Sequence, residues 1–381
     1  METINYRNYK RGDETRLALL FMRAFQMNGK SFIRTKRSVK WRYIQSPNFE
    51  PEMIQIAEDK EEKRIVGAIY VNPIEKMRYS GKEYLVGHIN DVSCDPGYTR
   101  QGIATHLMKM ALNYMKKKGC DLAMLVTGSN SIARNKIYLK FGFRDVRPLY
   151  FYFNFPNPLS LINTVPHFIP LFPLFVLLSF IPRSIIKLVI KLNSFFNDIS
   201  SEIYHGKGHI IYKNSINNIM PKYYEMYSKF SNRKLLWAKI NVPYKREIPS
   251  YIFMKKNERI LGGASLTHEN FYISRLNLVL KIGIVHEIFI NQNSFPSLKL
   301  SSLAFSYLLD KIMKAAIHKK LGILIYSGDS SNHILNNNFL KLGFLKLKGS
   351  VFMIKEFNES IDYTKLKKPL YLPTYLTSGH P

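Results

Sequence analysis

Apolar residues Ile103, Leu107, Met110, Ala111 and Tyr114 recur at three- and four-residue spacing, which predicts an amphipathic helix that opens after Gly102 and stops at Gly119. Upstream, Asp91-Val92-Ser93-Cys94 reads as a strand running into a turn that carries Gly97 and Gly102. Downstream, the unbroken apolar run Leu122–Val126 reads as a short buried strand ending at Thr127-Gly128-Ser129-Asn130. A second helix follows with Ala133, Ile137 and Tyr138 along it, and Gly142 closes it before Phe143 opens another strand. Met53–Glu58 reads as an earlier strand. Strand and helix alternate, so the expected class is α/β (α+β), a mixed sheet flanked by helices.

The pattern then repeats. Trp41 and Pro47 are matched by Trp237 and Pro243, and Ile65-Val66-Gly67 by Ile260-Leu261-Gly262. Tyr138-Leu139-Lys140-Phe141-Gly142-Phe143 is matched by Phe339-Leu340-Lys341-Leu342-Gly343-Phe344. Landmarks in one order at one spacing predict an internal duplication of domain size. The expected organisation is one copy over 1–155, a connector over 156–204, a second copy over 205–358 and an extended tail over 359–381. The copies differ where the first has its glycine turn. The second reads Ser294-Phe295-Pro296-Ser297-Leu298-Lys299-Leu300-Ser301-Ser302-Leu303-Ala304 with no glycine, and Phe339 stands in place of Tyr138.

Between the copies, no Asp, Glu, Lys or Arg occurs from Pro148 to Pro182. The apolar heart, Phe168–Ile181, is shorter than the roughly 20 residues a spanning helix needs and contains prolines. A single span would also separate the two copies across a membrane, so none is expected. Arg183–Leu192 follows as a basic amphipathic pattern able to lie in a membrane interface. The segment 161–192 is thus open to three placements: buried against the copies, in peripheral contact with an anionic membrane, or a re-entrant hairpin.

At 381 residues the chain can bury two cores. Lys and Arg number 56 against 27 Asp and Glu, a net charge of +29, which draws anionic partners or simply solvates the surface. No nucleic-acid-binding motif accompanies the charge, so nucleic acid is not an expected partner. Two cysteines, Cys94 and Cys120, exclude a disulfide scaffold and fit a reducing compartment. The N-terminal residues lack an apolar signal core, which makes the expected location cytoplasmic, with a peripheral membrane contact as the variant. The ten histidines show no ligand spacing, so no metal is expected.

A helix N-terminus offers unpaired backbone N–H groups and a partial positive charge, a seat for phosphate, and Gly97 and Gly102 let a ligand approach the backbone. Together with Asn130-x-x-Ala133-x-x-x-x-Tyr138-x-x-x-Gly142-Phe143, this order resembles the GNAT N-acetyltransferases. Their turn, [Arg/Gln]-x-x-Gly-x-[Gly/Ala], is here Thr99-Arg100-Gln101-Gly102-Ile103-Ala104, with Arg100 and Gln101 shifted inward and Thr99 in the first place. The resemblance implies a tandem GNAT architecture whose second copy has lost cofactor binding. It also implies acetyl-CoA as co-substrate and direct aminolysis of the thioester by a small-molecule or peptide amine.

By the same resemblance Tyr98, Thr99, Arg100, Gln101, Gly102, Ile103 and Ala104 hold the pyrophosphate. Val92, Ser93 and Cys94 line the pantetheine arm, with the Val92 N–H polarising the carbonyl, and Asn130 and Ala133 lie at the arm, Asn130 also capping its helix. Tyr138 is the expected general acid, a phenol of pKa about 10 facing a departing thiolate. Asp91 and His88 are candidate bases, with Glu58, a water relay or a second-copy residue as alternatives. Cys94 has no His or Asp at a spacing that would activate it, so an acyl-cysteine is not expected. Two further readings stay open: a membrane-surface N-acyltransferase using a long acyl chain or lipid acceptor, and a non-enzymatic acyl-CoA or nucleic-acid binding module.

Overall fold

The strongest sequence signal, the apolar stripe of Ile103–Lys117, packs Leu107, Met108, Ala111 and Met115 onto a sheet surface that presents Ile69, Ile89, Ala123 and Leu125. Burial of one such side chain stabilises by about 1.5–3 kcal/mol. Close approach depends on Gly67 of the sheet, where an added Cβ would lie 2.6 Å from the Ile103 side chain. The computed structural model describes residues 3–25, 34–79, 81–205, 208–240, 249–273, 278–357, 366 and 368–371.

The first half contains β1 (Ile4–Asn8), α1 (Glu14–Ala24), α2 (Lys36–Val39), β2 (Ile54–Asp59), β3 (Arg64–Tyr79) and β4 (Lys82–Cys94). It continues with α3 (Ile103–Lys117), β5 (Leu122–Gly128), a π-helical turn at Arg134–Tyr138 and β6 (Arg144–Asn154). Then come α4 (Pro158–Thr164), α5 (Phe172–Lys191), β7 (Ile199–His205), α6 (His209–Tyr223), β8 (Met226–Tyr227) and α7 (Asn232–Leu235). The chain proceeds through β9 (Ser250–Lys256), β10 (Arg259–Ile273), β11 (Leu278–Ile290), α8 (Leu298–His318), β12 (Ile323–Asp329), α9 (His333–Lys341) and β13 (Leu345–Glu356).

Where two sheets were expected, the strands form one mixed sheet of 13, ordered β1-β2-β3-β4-β5-β13-β6-β12-β11-β10-β9-β7, with β8 beside β3. Matching β1 to β7, β2 to β9, β3 to β10, β4 to β11, β5 to β12 and β6 to β13 makes that order read the same from either end. The last strands of the halves are exchanged: β13 lies between β5 and β6, and β6 between β13 and β12, all antiparallel. The two tryptophans meet: Trp41 Nε1 donates to the Trp237 carbonyl at 2.8 Å, and Trp237 Nε1 donates to the Trp41 carbonyl at 2.7 Å. Pro243, the second repeat's proline, lies outside the described residues.

The segment 156–204 comprises α4, α5 and the first residues of β7, so its end already belongs to the sheet edge, paired with β9. Its apolar and basic parts, separated in the sequence by Pro182, form one 20-residue helix, α5. Proline has no N–H for the carbonyl of Leu178, and that carbonyl instead abuts Gly343, where an added Cβ would collide with it. Of the tail, the described Leu366 and Leu370 are buried against Met77, Tyr84 and Val86.

Candidate active site

Strands β4 and β5 pair in parallel only from Val86–His88 to Leu122–Met124, although β4 runs on to Cys94 and β5 to Gly128. Beyond that point they splay. The cause lies in β4: its register with β3 shifts between Ala68 and Tyr70, and Asp91 adopts a φ of 43°, a bulge that swings the strand away. Backbone groups of β4 past His88 therefore border an opening instead of a neighbour strand, and an extended ligand carrying amides can pair there. Val92 and Cys94 pack against the α3 core, while Ser93 Oγ donates to the Asp91 carbonyl at 2.8 Å.

At the end of that opening stands the turn into α3. Asp95 fixes its entry: its carboxylate accepts from the Gly97 N–H at 3.1 Å and from Arg23 Nε at 2.7 Å. Tyr98 is tied outward, donating its hydroxyl to Asp59 at 2.7 Å with Arg64 over its ring at 5.2 Å, and Thr99 Oγ1 donates to the Pro96 carbonyl. Arg100 and Gly102 take φ of 65° and 80°, and Arg100 and Gln101 are exposed. The first backbone bond of α3 is from the His106 N–H to the Gly102 carbonyl at 2.9 Å, and no side chain caps the helix. Among the described residues the N–H groups of Ile103, Ala104 and Thr105 thus have no acceptor, which leaves an anion seat with the partial positive end of a 15-residue helix behind it.

Asn130 is exposed and does not cap the following helix. Ser131 does so, accepting from the Arg134 N–H at 3.1 Å while bonded to Thr127 Oγ1 at 2.8 Å. Ala133 packs against the α3 core. Tyr138 ends the π-helical turn, 6% exposed; its carbonyl accepts from the Phe143 N–H at 3.1 Å, and its hydroxyl makes no hydrogen bond among the described residues. Burial first, and the Asp91 charge second, push its phenol well above the ordinary tyrosine value.

Asp91 is the centre of a buried charge cluster. Its carboxylate meets Arg34 at 2.9 Å and Arg42 at 3.6 Å and accepts from the Tyr43 hydroxyl, and the Tyr43 ring stacks on Tyr70 at 3.9 Å. Burial pushes the carboxyl up, but the two guanidiniums and the phenol outweigh it and hold the group below the usual carboxylate range. Such a carboxylate is a weak base at neutral pH. Gly87 faces α3, since an added Cβ would lie 2.9 Å from Met115, so its neighbour His88 points to the opposite face. There His88 Nε2 lies 3.0 Å from Glu75, which also binds Lys234 and Ser228 of the second half. Glu75 and Lys234 line a cavity of about 260 Å³ between the halves, together with Pro73, Tyr227 and Trp237. Glu58 lies two strands from β4, on β2, paired with Arg7 and Arg16. Cys94 is a protonated thiol, pushed up to about 11 by burial and then by Asp95.

Residues 5–146 match the model of the acetyltransferase (GNAT) domain. Over these residues, less than half of its length, the chain is similar to the GNAT acetyltransferases. N-alpha-acetyltransferase 30 of Xenopus laevis is 35% identical over 97 residues, which cover 25% of this chain and 34% of that protein. The matched stretch spans about a third of that curated relative's length. Among solved structures, Saccharomyces cerevisiae N-myristoyltransferase with bound myristoyl-CoA superposes with a TM-score of 0.68 at 13% identity, over 94% of this chain and 80% of that one. A probable N-acyltransferase from Enterococcus faecalis V583 superposes with a TM-score of 0.57 at 11% identity, over 93% and 73%. Both likenesses concern the fold.

The open features of the first half are closed in the second. Strands β11 and β12 also part, after Val285 and Tyr326, and Glu287 follows Val285 as Asp91 follows Ile89. Helix α8, however, is capped by Ser297, whose side chain accepts from the Leu300 N–H, and Phe295 before it is buried against Phe195. Phe339 is stacked between Tyr152 and Tyr326 at 4.9 and 4.6 Å. A void of about 10 Å³ remains beside Glu287, Tyr326 and Tyr371, room for about one water. Glu287 itself is buried with Lys239 at 2.9 Å and accepts from Tyr212 and Ser265.

Arg34, Arg42, Tyr43 and Glu75 escaped the sequence reading. Arg42 and Tyr43 adjoin the Trp41 landmark, a signal that was there to be used. Nothing in the sequence marks Arg34 or Glu75.

Proposed function

We propose that this chain is a GNAT N-acyltransferase that moves an acyl group from an acyl-CoA to an amine. The observation that carries the reading is the uncapped N-terminus of α3 at the end of the splayed β4 edge. In this reading the N–H groups of Ile103, Ala104 and Thr105 bind the pyrophosphate, and the β4 edge from Ile89 to Cys94 pairs with the pantetheine amides. The Val92 N–H polarises the thioester carbonyl. The amine attacks the carbonyl carbon, the C–S bond breaks, and Tyr138 hands its proton to the departing thiolate. His88, oriented by Glu75, is a better recipient for the amine's proton than Asp91, whose ion pairs leave it little proton affinity. Asp91 then acts through its charge, organising Arg34, Arg42 and Tyr43. Residues 1–155 carry the chemistry, and the second half, its cofactor seat filled by side chains, shapes the acceptor side together with the cavity at the junction. The expected setting is cytoplasmic, with a small-molecule or peptide amine as acceptor and acetyl-CoA as the donor.

A second reading, a longer acyl chain used at a membrane surface, is favoured by the outward apolar face of α5. A thermal-shift series with coenzyme A, acetyl-CoA and a long-chain acyl-CoA separates the two, because a ligand that prefers the native state raises Tm by mass action. Stabilisation by acetyl-CoA at least equal to the long chain supports acetyl transfer, and a clear preference for the long chain supports the second reading. No response to any of the three sinks both. With a donor in hand, Tyr138→Phe is expected to lower kcat by about 10²-fold or more while leaving coenzyme A binding intact.

A further inference from the structure

Helix α5 is apolar on both faces. Inward, Phe175 packs on Phe155 at 4.3 Å and Ile186 and Ile190 lie against the core of the second half, while Ser179 donates to the Phe155 carbonyl at 2.7 Å and Arg183, buried, pairs with Asp310 of α8. Beside them the Leu178 carbonyl sits on Gly343. Its outward face is apolar, with Leu174, Leu177, Ile181, Ile185, Leu188 and Leu192 all exposed, Leu177 by 53%, Ile185 by 57% and Leu192 by 77%. These recur every three or four residues, a stripe about 27 Å long from Leu174 to Leu192. A soluble surface helix turns such a stripe to the core, and an exposed one of this extent marks a contact.

We propose that this stripe docks the protein onto the surface of an anionic phospholipid bilayer, with α5 lying in the plane of the interface. Charge selects the occupant. Lys187 and Lys191 are exposed on the same helix, no Asp or Glu occurs between Asp145 and Asp198, and the chain carries +29. A second copy would bring these like charges together, whereas anionic headgroups complement them. The helix lies along the membrane and does not cross it. Strands β6 and β7 on either side of it belong to one sheet, and the Arg183–Asp310 pair ties its middle to α8. Apolar side chains of an interfacial helix reach about 5–10 Å into the headgroup boundary, which the stripe does without disturbing the inward contacts. The inference goes beyond the acyl-transfer reading and does not depend on it.

The test is co-sedimentation of the full chain with vesicles of phosphatidylcholine alone and of phosphatidylcholine mixed equally with phosphatidylglycerol. Binding to the mixed vesicles, weakened by salt, is expected. Leu177→Glu/Ile181→Glu/Ile185→Glu is expected to lose that binding by about tenfold or more, and Lys187→Glu/Lys191→Glu to lose the preference for the anionic lipid. Leu177, Ile181 and Ile185 face outward, so the triple variant should keep the wild-type Tm, which separates lost docking from lost folding. Lys187 also lies 3.9 Å from Asp310, so the double variant is compared at a temperature where circular dichroism shows it folded. Ile181→Trp gives a direct reading, because Trp41 and Trp237 are both buried. Its emission should shift to the blue only with the mixed vesicles. No binding, equal binding to both vesicle types, or binding undiminished in the triple variant overturns the proposal. So does a lipid-free dimer, seen by sedimentation velocity, that the triple variant dissolves. Since vesicle binding and acyl-CoA thermal shifts are separate measurements, either can fail without the other.

Discussion

Burial pushes the Asp91 carboxyl up, and Arg34, Arg42 and Tyr43 more than reverse that, so the group is held below the usual carboxylate range. Removing one partner of a buried ionic cluster costs about 3–5 kcal/mol because the others are left uncompensated. Asp91→Asn is therefore expected to lose stability of that order at neutral pH, measured by urea unfolding. The pH dependence has a definite sign. The folded-state pKa lies below the unfolded value, so the contribution is present above about pH 4 and is lost as pH falls through the folded value. The gap between wild type and Asp91→Asn should narrow in acid and stay constant toward neutrality; a gap that widens in acid would contradict the cluster. Tyr138 and Asp91 can be named as candidates from the sequence because they belong to one short run of elements. Arg34 and Arg42 were not, because nothing local ties a guanidinium to a carboxylate so far along the chain.

Two helices in matching places start differently, and each start has its own consequence. Gly102 opens α3 at a φ of 80° with no side-chain cap, while Ser297 caps α8. Ser297→Ala should cost about 1 kcal/mol and leave acyl-CoA binding unchanged. Gly102→Ala forces a Cβ into the left-handed region, a cost of roughly 1–2 kcal/mol, and should also weaken the coenzyme A thermal shift. Equal coenzyme A responses in the two variants would refute α3 as the phosphate seat. The start of α3 was readable because its stripe and glycines are local. Helix α5 was read in two pieces because Pro182 interrupts the hydrogen-bond ladder, and only the packing of the Leu178 carbonyl on Gly343 accommodates the freed acceptor. That contact joins the connector to the far end of the second half, out of reach of any periodicity.

The exchanged strands make the two halves one cooperative object. Strand β5 finds its outer partner only in β13, and β12 finds its own only in β6, so neither half can complete its sheet alone. The reciprocal Trp41–Trp237 bonds and the Glu75–Lys234 pair close the same junction. The repeated landmarks announced two similar halves, but a strand between foreign neighbours carries the same alternation as one between its own, so the exchange left no mark in the sequence. Differential scanning calorimetry of the full chain is accordingly expected to give one transition, with calorimetric and van't Hoff enthalpies that agree. A fragment of residues 1–155 would expose β5 and both sides of β6 as unpaired edges and should aggregate instead of binding acyl-CoA. Two separated transitions, or a soluble 1–155 fragment that acetyl-CoA stabilises as it does the full chain, would show that the junction is a contact between finished domains. One transition would mean that both halves are kept because neither half can close its sheet without the other's last strand.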